Sequence, residues 1–137
     1  MSDIPAGFGP LPRSSPFIDL VGPMYASGAG EALVLGLRAQ AKHSNMRGAV
    51  HGGVLATLAD IALGYTLSFS SDPPGSYVTA QLSIDYAGGA KTGDWIETRV
   101  DVQRKGSRLA FANCYLVAGG RPIVRASAIF ARDGKSA

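Results

Sequence analysis

The sequence predicts an α+β domain in which a curved antiparallel sheet of five to six strands wraps around one long central helix. Two observations support this architecture. Apolar residues recur at helical spacing from Gly52 to about Ser70, whereas the segments on either side alternate between apolar and polar residues. The helix is apolar almost all round, so we expect the sheet to cover more than one of its faces.

The chain divides into an N-terminal arm and a single domain. Residues 1–16 contain four prolines and several small residues, which is typical of an irregular arm. Residues 17–137 form the domain, and residues 17–25 predict a short helical turn that leads into an edge strand. Residues 31–39 alternate with a period of two and predict a strand, and Gly28-Ala29-Gly30 before them predicts a hairpin turn.

Strands also follow the helix, which ends at the breaker residues Ser71-Asp72-Pro73-Pro74-Gly75. Beyond this point four segments alternate between apolar and polar residues, namely 78–86, 96–103, 109–117 and 123–131. The connections between them are short and contain glycine. We therefore predict that the four strands form an antiparallel meander.

The composition is that of one ordinary globular domain. At 137 residues the chain is long enough for one core and too short for two domains. Hydrophobic residues make up 46%, charged residues 17%, and the formal net charge is +3. The sequence lacks the dense basic stripe with interleaved aromatic residues that nucleic-acid binding requires. A mild positive charge does suit a small polyanionic ligand.

No sequence motif for a metal or a redox cofactor is present. His43 and His51 have no further ligands at metal-binding spacing. Neither a Walker-type nor a Rossmann-type glycine pattern occurs, which argues against nucleotide hydrolysis and redox chemistry. Cys114 lies in an alternating segment and is expected to pack in the core. We therefore expect no metal and no cofactor.

The sequence predicts a cytoplasmic protein. Its single cysteine excludes an intrachain disulfide and fits a reducing compartment. Residues 1–16 have no basic segment followed by an apolar core, so no secretory signal is evident. No apolar run reaches the roughly 18–20 residues of a membrane span.

The strongest functional signal is the polar, glycine-rich loop at residues 45–53, which leads directly into the helix. Amides at a helix start have no partner within the helix and carry partial positive charge, so this loop is suited to hold a developing oxyanion. Glycine at Gly52 and Gly53 lets a substrate approach the backbone without a Cβ in the way. Asp60 is the one charged residue in the first three helical turns, and burying it would be costly without a function.

These residues resemble a signature of the hotdog-fold acyl-CoA thioesterases, and in particular of their phenylacetate-pathway (PaaI-like) branch. The signature Asn-x-x-Gly-x-x-His-Gly-Gly followed by Thr-Leu-x-Asp is matched by Asn45, Gly48, His51, Gly52, Gly53, Thr57, Leu58 and Asp60. The order of elements agrees over roughly residues 30–131. The resemblance implies a hotdog fold and hydrolysis of an aryl- or medium-chain acyl-CoA to free acid and CoA, with water as the co-substrate.

The resemblance also implies roles for five residues. Asp60 would act on the thioester as a nucleophile or as a general base, and the Gly52 N–H would hold the thioester oxygen. Asn45 would position the reacting water or carbonyl, and His51 would shape the loop and orient the thioester. Thr79, on the strand after the helix, would hold water in the second stage of the reaction.

Four of these residues also have a purely structural interpretation. Asp60 could pair with an arginine or cap a neighbouring element, and His51 could bond to a backbone carbonyl. Asn45 could hold a turn through its side chain. Thr79 could reflect ordinary strand propensity.

Basic and aromatic residues are the candidates for substrate binding. Coenzyme A carries phosphates, so a positively charged rim is expected around its site. The candidate substrate-binding residues are Gly53, Arg47, Arg104, Lys105 and Arg108, with Arg125 as a further one. Each of these charges could instead be solvated surface. Tyr65, Phe69 and Tyr86 could line an aromatic acyl slot or belong to the core, and the acyl class stays open.

We expect the chain to form homo-oligomers. An exposed edge strand needs covering, so two protomers should pair edge to edge into one continuous sheet. The site would then lie between protomers, with loop and helix residues from one and strand residues from the other. The resemblance implies that two such dimers associate into a tetramer.

Two other functions remain open at this stage. An acyl-CoA binding or sensing domain could keep the same fold without turnover, although the retained Asp60 argues against it. A hydratase or dehydratase would need a histidine and an acid that both reach the acyl α and β carbons. No suitably spaced histidine follows Asp60 on the helix.

Overall fold

The computed structural model describes residues 4–136, with side chains described as far as Gly134. Its elements are the helices α1 (Pro16–Val21) and α2 (Gly52–Ser68), the strands β1 (Gly9–Pro10), β2 (Met24–Ser27), β3 (Val34–Arg38), β4 (Gly75–Tyr86), β5 (Trp95–Lys105), β6 (Leu109–Ala118) and β7 (Arg121–Ser136), and short 3-10 helices at Gly30–Ala32 and Ala41–His43. All strands belong to one antiparallel sheet, in the order β1-β2-β3-β5-β6-β7-β4. The sheet curves around α2, which confirms the predicted α+β hotdog architecture.

Over the described residues the sheet has seven strands, one more than the expected range. The additional strand is β1, two residues long, which pairs with β2 through Gly9 and Ala26. A strand of two residues is too short to produce an alternating pattern, so the sequence could not reveal it. It lies inside the segment that we expected to be an irregular arm.

The N-terminal part of the domain follows the predicted order of elements. Ser15 caps α1, accepting a hydrogen bond from the Ile18 N–H at 3.2 Å, and α1 leads into β2. The prediction that this strand lies at the edge of the sheet is wrong, because β1 pairs with β2 on the side away from β3. The turn at residues 28–30 connects the antiparallel strands β2 and β3, with positive φ angles at Gly28 and Gly30. β3 is shorter than predicted, because residues 30–32 form a 3-10 helix before it.

The predicted meander of four strands is wrong in one respect. β5, β6 and β7 do follow one another as neighbours, but β4 pairs with β7 at one end of the sheet instead of with β5. The segment 87–94 makes the difference, because it runs across the end of the sheet rather than forming a tight turn. The amides of Ala87 and Gly88 donate to the Ile123 carbonyl, and the Ala90 carbonyl accepts from Val50.

One face of α2 packs into the core against the sheet. Its buried residues are Leu55, Leu58, Ala59, Ala62, Leu63, Thr66, Leu67 and Ser68. Phe130 of β7 packs closely against Gly64, where a Cβ would lie 3.4 Å from the ring. The opposite face, with Val54, Ile61 and Tyr65, is only partly buried. The sheet of a single chain therefore leaves part of this apolar helix uncovered.

The single cysteine has a packing role. Cys114 is fully buried on β6, and burial raises the pKa of its thiol to about 12. A thiol of that pKa stays protonated near neutral pH and is a poor nucleophile. Within residues 4–136, neither helix is long and apolar enough to cross a membrane.

Candidate active site

The start of α2 presents one unpartnered backbone amide. His51 caps the helix in an extended conformation, and its Nδ1 atom accepts a hydrogen bond from the Gly53 N–H at 2.9 Å. A neutral imidazole that accepts at Nδ1 carries its proton at Nε2. Among the described residues, none accepts a hydrogen bond from the Gly52 N–H. The Gly52 amide and the His51 Nε2–H are therefore the donors that this helix start offers.

Tyr86, at the end of β4, fixes the position of Gly52. Its hydroxyl donates a hydrogen bond to the Gly52 carbonyl at 2.8 Å. A Cβ at position 52 would lie 3.2 Å from the Tyr86 Cζ atom, so glycine suits this close approach. Sequence reasoning treated Tyr86 as a possible wall of an acyl slot and missed this contact. The two residues are 34 positions apart, and no local pattern links them.

The side chain of Asn45 holds the turn before the helix. Its Oδ1 atom accepts from the Arg47 N–H at 2.8 Å and from the Ala49 N–H at 3.2 Å. Gly48 completes the turn with a φ of 79°. The Oδ1 atom of Asn45 therefore has the structural role of holding the turn. Its Nδ2 amide donates to none of the described residues, so it is free to bind a carbonyl or water.

The loop borders an open cleft of about 820 Å³, lined by Ser44, Asn45, Met46, Arg47 and His51. Met46 is fully exposed at its rim, and Arg47 is exposed beside it. Among the predicted site residues, the structure brings Asn45, Arg47 and His51 together here.

The acid of α2 lies in a different cavity. The Thr79 hydroxyl donates a hydrogen bond to the Asp60 Oδ1 atom at 2.7 Å, which joins the middle of α2 to β4. Asp60 forms no salt bridge with any of the described residues, so the predicted alternative of an arginine partner does not apply. The two side chains line a cavity of about 260 Å³ between α2 and β4.

Four aromatic residues and one arginine are among the other residues that line this cavity. Its wall contains Tyr65, Phe69, Tyr77 and Phe130, and Arg13 from the N-terminal segment also lines it. The Arg13 guanidinium carbon lies 4.8 Å from the centre of the Phe69 ring, and the Tyr65 hydroxyl donates to the Arg13 carbonyl at 3.0 Å. Burial raises the pKa of Tyr65, against a smaller lowering by Arg13, so the phenol remains a donor. Sequence reasoning missed Arg13, because it lies in the predicted irregular arm.

The Gly52 loop and Asp60 of one chain are separated along α2. Gly52 and Asp60 are eight residues apart on α2, which corresponds to about 12 Å along the helix axis. We expected loop and helix residues to act together from one protomer and strand residues from the other. The structure instead joins the helix acid Asp60 to the strand residue Thr79 of its own chain.

The basic residues predicted to bind CoA are divided between the two ends of α2. Arg47 lies near Gly52, whereas Arg104, Lys105 and Arg108 lie around the β5–β6 turn near the other end. Lys105 forms a salt bridge with Glu31 at 3.3 Å and a hydrogen bond to the Ser70 hydroxyl at 3.1 Å.

Arg125 and His43 have structural partners. Arg125 pairs with Asp85 at 3.0 Å on β7 and β4. His43 is buried and bonds through its ring to the Gln40 N–H and the Val21 carbonyl. Within residues 4–136 there is no group of three side chains that could hold a metal ion.

The chain is similar to the proteins of a known enzyme family. Residues 47–124 match the family model of the thioesterase superfamily. A putative esterase of Pseudomonas aeruginosa is 46% identical over 131 residues, which cover 95% of this chain and 98% of that protein. Acyl-coenzyme A thioesterase 13 of Mus musculus is 33% identical over 88 residues, 64% of this chain and 61% of that protein.

A solved structure has the same fold. The PaaI protein from the phenylacetic acid degradation operon of Escherichia coli superposes with a TM-score of 0.80 and 19% sequence identity. The superposition covers 89% of this chain and 87% of that one.

Proposed function

The chain belongs to the thioesterase superfamily, a family of thioester-hydrolysing enzymes, and from this premise we propose that it hydrolyses an aryl- or medium-chain acyl-CoA to free acid and CoA. The observation that carries the proposal is the hydrogen bond from the Thr79 hydroxyl to Asp60 beside an aromatic-lined cavity. A carboxylate on an otherwise apolar helix, oriented by one donor and facing a cavity, is suited to attack a bound ester.

Asp60 acts on the carbonyl carbon of the thioester. As a nucleophile it forms a mixed anhydride, the CoA thiolate leaves, and water then hydrolyses the anhydride. As a general base it removes a proton from the water that attacks the same carbon. In both cases Thr79 holds one oxygen of the carboxylate and leaves the other one to react. In the nucleophilic case, Thr79 would also hold the water of the second stage.

The oxygen of the thioester needs hydrogen-bond donors as it becomes negatively charged. The Gly52 N–H has no acceptor among the described residues, and the Nε2–H of His51 lies beside it at the helix start. Asn45 lines the same cleft as His51 and adds its Nδ2 amide. Oxyanion donors of this kind contribute on the order of 10²–10³ in turnover each.

We further propose that two copies of the chain complete each site. The separation of about 12 Å along the helix axis between Gly52 and Asp60 of one chain argues against their acting on one carbonyl. β4 is twelve residues long and ends the sheet, and within residues 4–136 no strand pairs with its outer edge. Pairing of two β4 edges would cover this edge and the partly exposed face of α2. It would also bring the Gly52 loop of one copy near the Asp60 cavity of the other.

CoA binding follows from the same arrangement. Arg47 lies beside the donors of the Gly52 loop and is exposed, so it can reach a phosphate of CoA. Arg104 and Arg108 are also exposed and lie at the other end of α2. The ammonium group of Lys105 is bound to Glu31 and Ser70, which makes it the weakest of these candidates.

The proposal is tested by CoA release from a panel of acyl-CoAs, with wild type, Asp60→Asn and the control Asp101→Asn. Asp101 is exposed on β5 and has no side-chain partner among the described residues. We expect Asp60→Asn to lose on the order of 10³ or more in turnover and the control to retain it. Equal rates for wild type and Asp60→Asn would remove Asp60 from the mechanism. CoA binding without release from any acyl-CoA would favour a binding domain.

The two-copy site is tested by mixing two inactive variants. Asp60→Asn lacks the acid, and Gly52→Pro lacks the backbone N–H at the helix start. Each variant alone has no complete site, whereas a mixed dimer has one site with both groups. We expect activity to return when the two proteins are unfolded and refolded together. If mixed dimers are shown to form and activity does not return, both groups act within one chain.

A further inference from the structure

The cavity beside Asp60 has the acid at one end and a cation at the other. It extends along α2 from Asp60 to Phe69, nine residues that correspond to about 13 Å along the axis. Thr79 lies at the Asp60 end, and the Arg13 guanidinium lies over the Phe69 ring. A substrate whose thioester carbon lies against Asp60 would therefore direct its acyl group toward Arg13.

The walls between these ends are aromatic. Tyr65 and Phe69 pack edge to face with ring centres 6.0 Å apart, and Tyr77 and Phe130 form the opposite side. Phe130 approaches α2 closely at Gly64, where a Cβ would lie 3.4 Å from its ring. Hydroxyl groups line the cavity as well, but those of Ser68, Ser76 and Thr79 already donate hydrogen bonds to the Gly75 carbonyl, Asp133 and Asp60. The aromatic rings are therefore the surfaces against which a hydrophobic chain or a ring would pack.

Arg13 is held in place, but its charge is not neutralised by a partner. The Tyr65 hydroxyl fixes its backbone carbonyl at 3.0 Å, and the guanidinium stacks on Phe69 at 4.8 Å. Among residues 4–136 it forms no ion pair. Stacking uses the face of a guanidinium and leaves the N–H groups at its edge available for a carboxylate.

The other charges near this end have roles of their own. Arg132 stacks on Tyr77 at 5.2 Å, which adds a second cation near the same part of the cavity. Asp133 accepts a hydrogen bond from the Ser76 hydroxyl at 2.8 Å. Asp60 is the one carboxylate among the described residues that lines the cavity itself, and it lies at the other end.

We propose that the acyl group of the substrate ends in a carboxylate, which Arg13 binds at the end of the cavity away from Asp60. This inference depends on the proposed thioesterase function, because it takes Asp60 as the site of attack. It names the substrate class as acyl-CoAs with a terminal anionic group and an apolar body. Arg13 then selects such acyl groups over neutral ones of similar length.

A phosphate of CoA is the other anion that Arg13 could bind, and the cavity argues against it. A volume of about 260 Å³ with aromatic walls suits an acyl group better than a hydrated nucleotide. The two cases also differ in their consequences. Every acyl-CoA would make a phosphate contact, so loss of Arg13 would lower kcat/KM for charged and neutral substrates alike. A carboxylate contact would be made only by the charged ones.

The experiment compares kcat/KM for adipoyl-CoA and suberoyl-CoA with that for heptanoyl-CoA and nonanoyl-CoA. Wild type should prefer the carboxylated member of each pair. Arg13→Gln should reduce this preference about tenfold or more, as expected for loss of a charge-assisted hydrogen bond. Arg13→Lys should retain part of the preference. The control Arg99→Gln, which removes a guanidinium paired with Glu97 on β5, should leave the preference unchanged.

Salt dependence provides a readout that does not rely on the variants folding. The preference of wild type for carboxylated substrates should weaken as salt rises, because Arg13 is exposed and its attraction is screened. Two results would overturn the inference while the thioesterase function stands. One is a wild-type preference for the neutral substrates, and the other is an equal fall in kcat/KM for all substrates in Arg13→Gln. Absence of hydrolysis with every acyl-CoA would overturn the proposed function and this inference with it.

Discussion

The Tyr86 hydroxyl donates a hydrogen bond to the Gly52 carbonyl at 2.8 Å, and the Tyr86 ring occupies the space that a side chain at position 52 would need. This contact ties the end of the edge strand β4 to the start of α2. The amide that we propose as oxyanion donor is therefore positioned by the same strand that carries Thr79. The edge strand thus orients both parts of the proposed site.

The first prediction separates the Gly52 N–H from the space around it. Gly52→Pro removes the N–H, and proline is well tolerated at the first helical position. The preceding residue, His51, already has the extended conformation that proline requires, with φ −63° and ψ 136°. We expect turnover to fall by on the order of 10²–10³, because one oxyanion donor is lost. Steady-state kinetics with the best acyl-CoA measures this effect.

Gly52→Ala is the matched control for this change. It adds a Cβ 3.2 Å from the Tyr86 Cζ atom, as proline also does, but it keeps the N–H. Tyr86 is 52% exposed and can move slightly to make room. Turnover of Gly52→Ala should therefore stay well above that of Gly52→Pro. Equal turnover of the two variants would mean that crowding, and not the N–H, is responsible.

The second prediction concerns Tyr86 as a positioning residue. Tyr86→Phe keeps the ring over Gly52 and removes the hydrogen bond to its carbonyl. One neutral hydrogen bond contributes about 1 kcal/mol, so we expect kcat to fall several-fold with little change in KM. Tyr115→Phe is the control, since Tyr115 is also partly exposed on the sheet and its hydroxyl has no partner among the described residues. A rise in KM with unchanged kcat would instead assign Tyr86 to substrate binding.

The sequence was sufficient to predict the helix and the presence of unpaired amides at its start. The apolar residues from Gly52 onward repeat at helical spacing, and the breakers at 71–75 end them, so both limits of α2 were local signals. Helix geometry predicts that the first amides lack partners, whereas the choice of Gly52 among them depended on the resemblance. Asn45 was more ambiguous. A short polar side chain before a glycine can hold a turn or bind a ligand, and here its oxygen and its amide divide these roles.

The partner of β4 and the neighbours of Asp60 could not be predicted from the sequence. Alternation shows that a segment is a strand, but it carries no information about which strand lies beside it. The glycines at 88 and 89 suggested a tight turn, whereas the backbone bonds of that segment reach Ile123 and Val50. Arg13 was missed for a similar reason. Its position over Phe69 depends on a chain path that proline-rich sequence does not encode locally.

The third prediction concerns the hydroxyl of Thr79. Thr79→Val has nearly the same shape and lacks the donor to Asp60, so the carboxylate loses its orienting hydrogen bond. A hydrogen bond to a charged group contributes about 1.5–3 kcal/mol, and we expect turnover to fall by about 10- to 100-fold. Thr79→Ser should retain most of the activity. Ser83→Ala, which removes an exposed hydroxyl of the same strand that bonds to Gln81, should have no effect. Full activity of Thr79→Val would mean that Asp60 acts without the hydrogen bond from Thr79.

The last prediction concerns the segment 87–94, which carries the chain across the end of the sheet. A hydrogen bond from the Lys91 N–H to Asp94 at 3.0 Å holds the pKa of Asp94 below its ordinary value of 3.8, with help from the Lys91 and Arg121 charges. Ionised Asp94 is thus favoured by the folded state. Its contribution to stability is complete above pH 3.8 and is lost as pH falls through the lower folded pKa.

Urea unfolding of wild type and Asp94→Asn over a pH series measures this contribution. The difference in unfolding free energy between the two proteins should be largest at neutral pH and should shrink as pH falls below about 3.8. Asp101→Asn is the control, because the Asp101 carboxylate has no hydrogen-bond partner among the described residues. The difference in unfolding free energy between wild type and Asp94→Asn could instead stay constant over the whole pH series. In that case the substitution would act through the fit of the amide, and the charge of Asp94 would have no role.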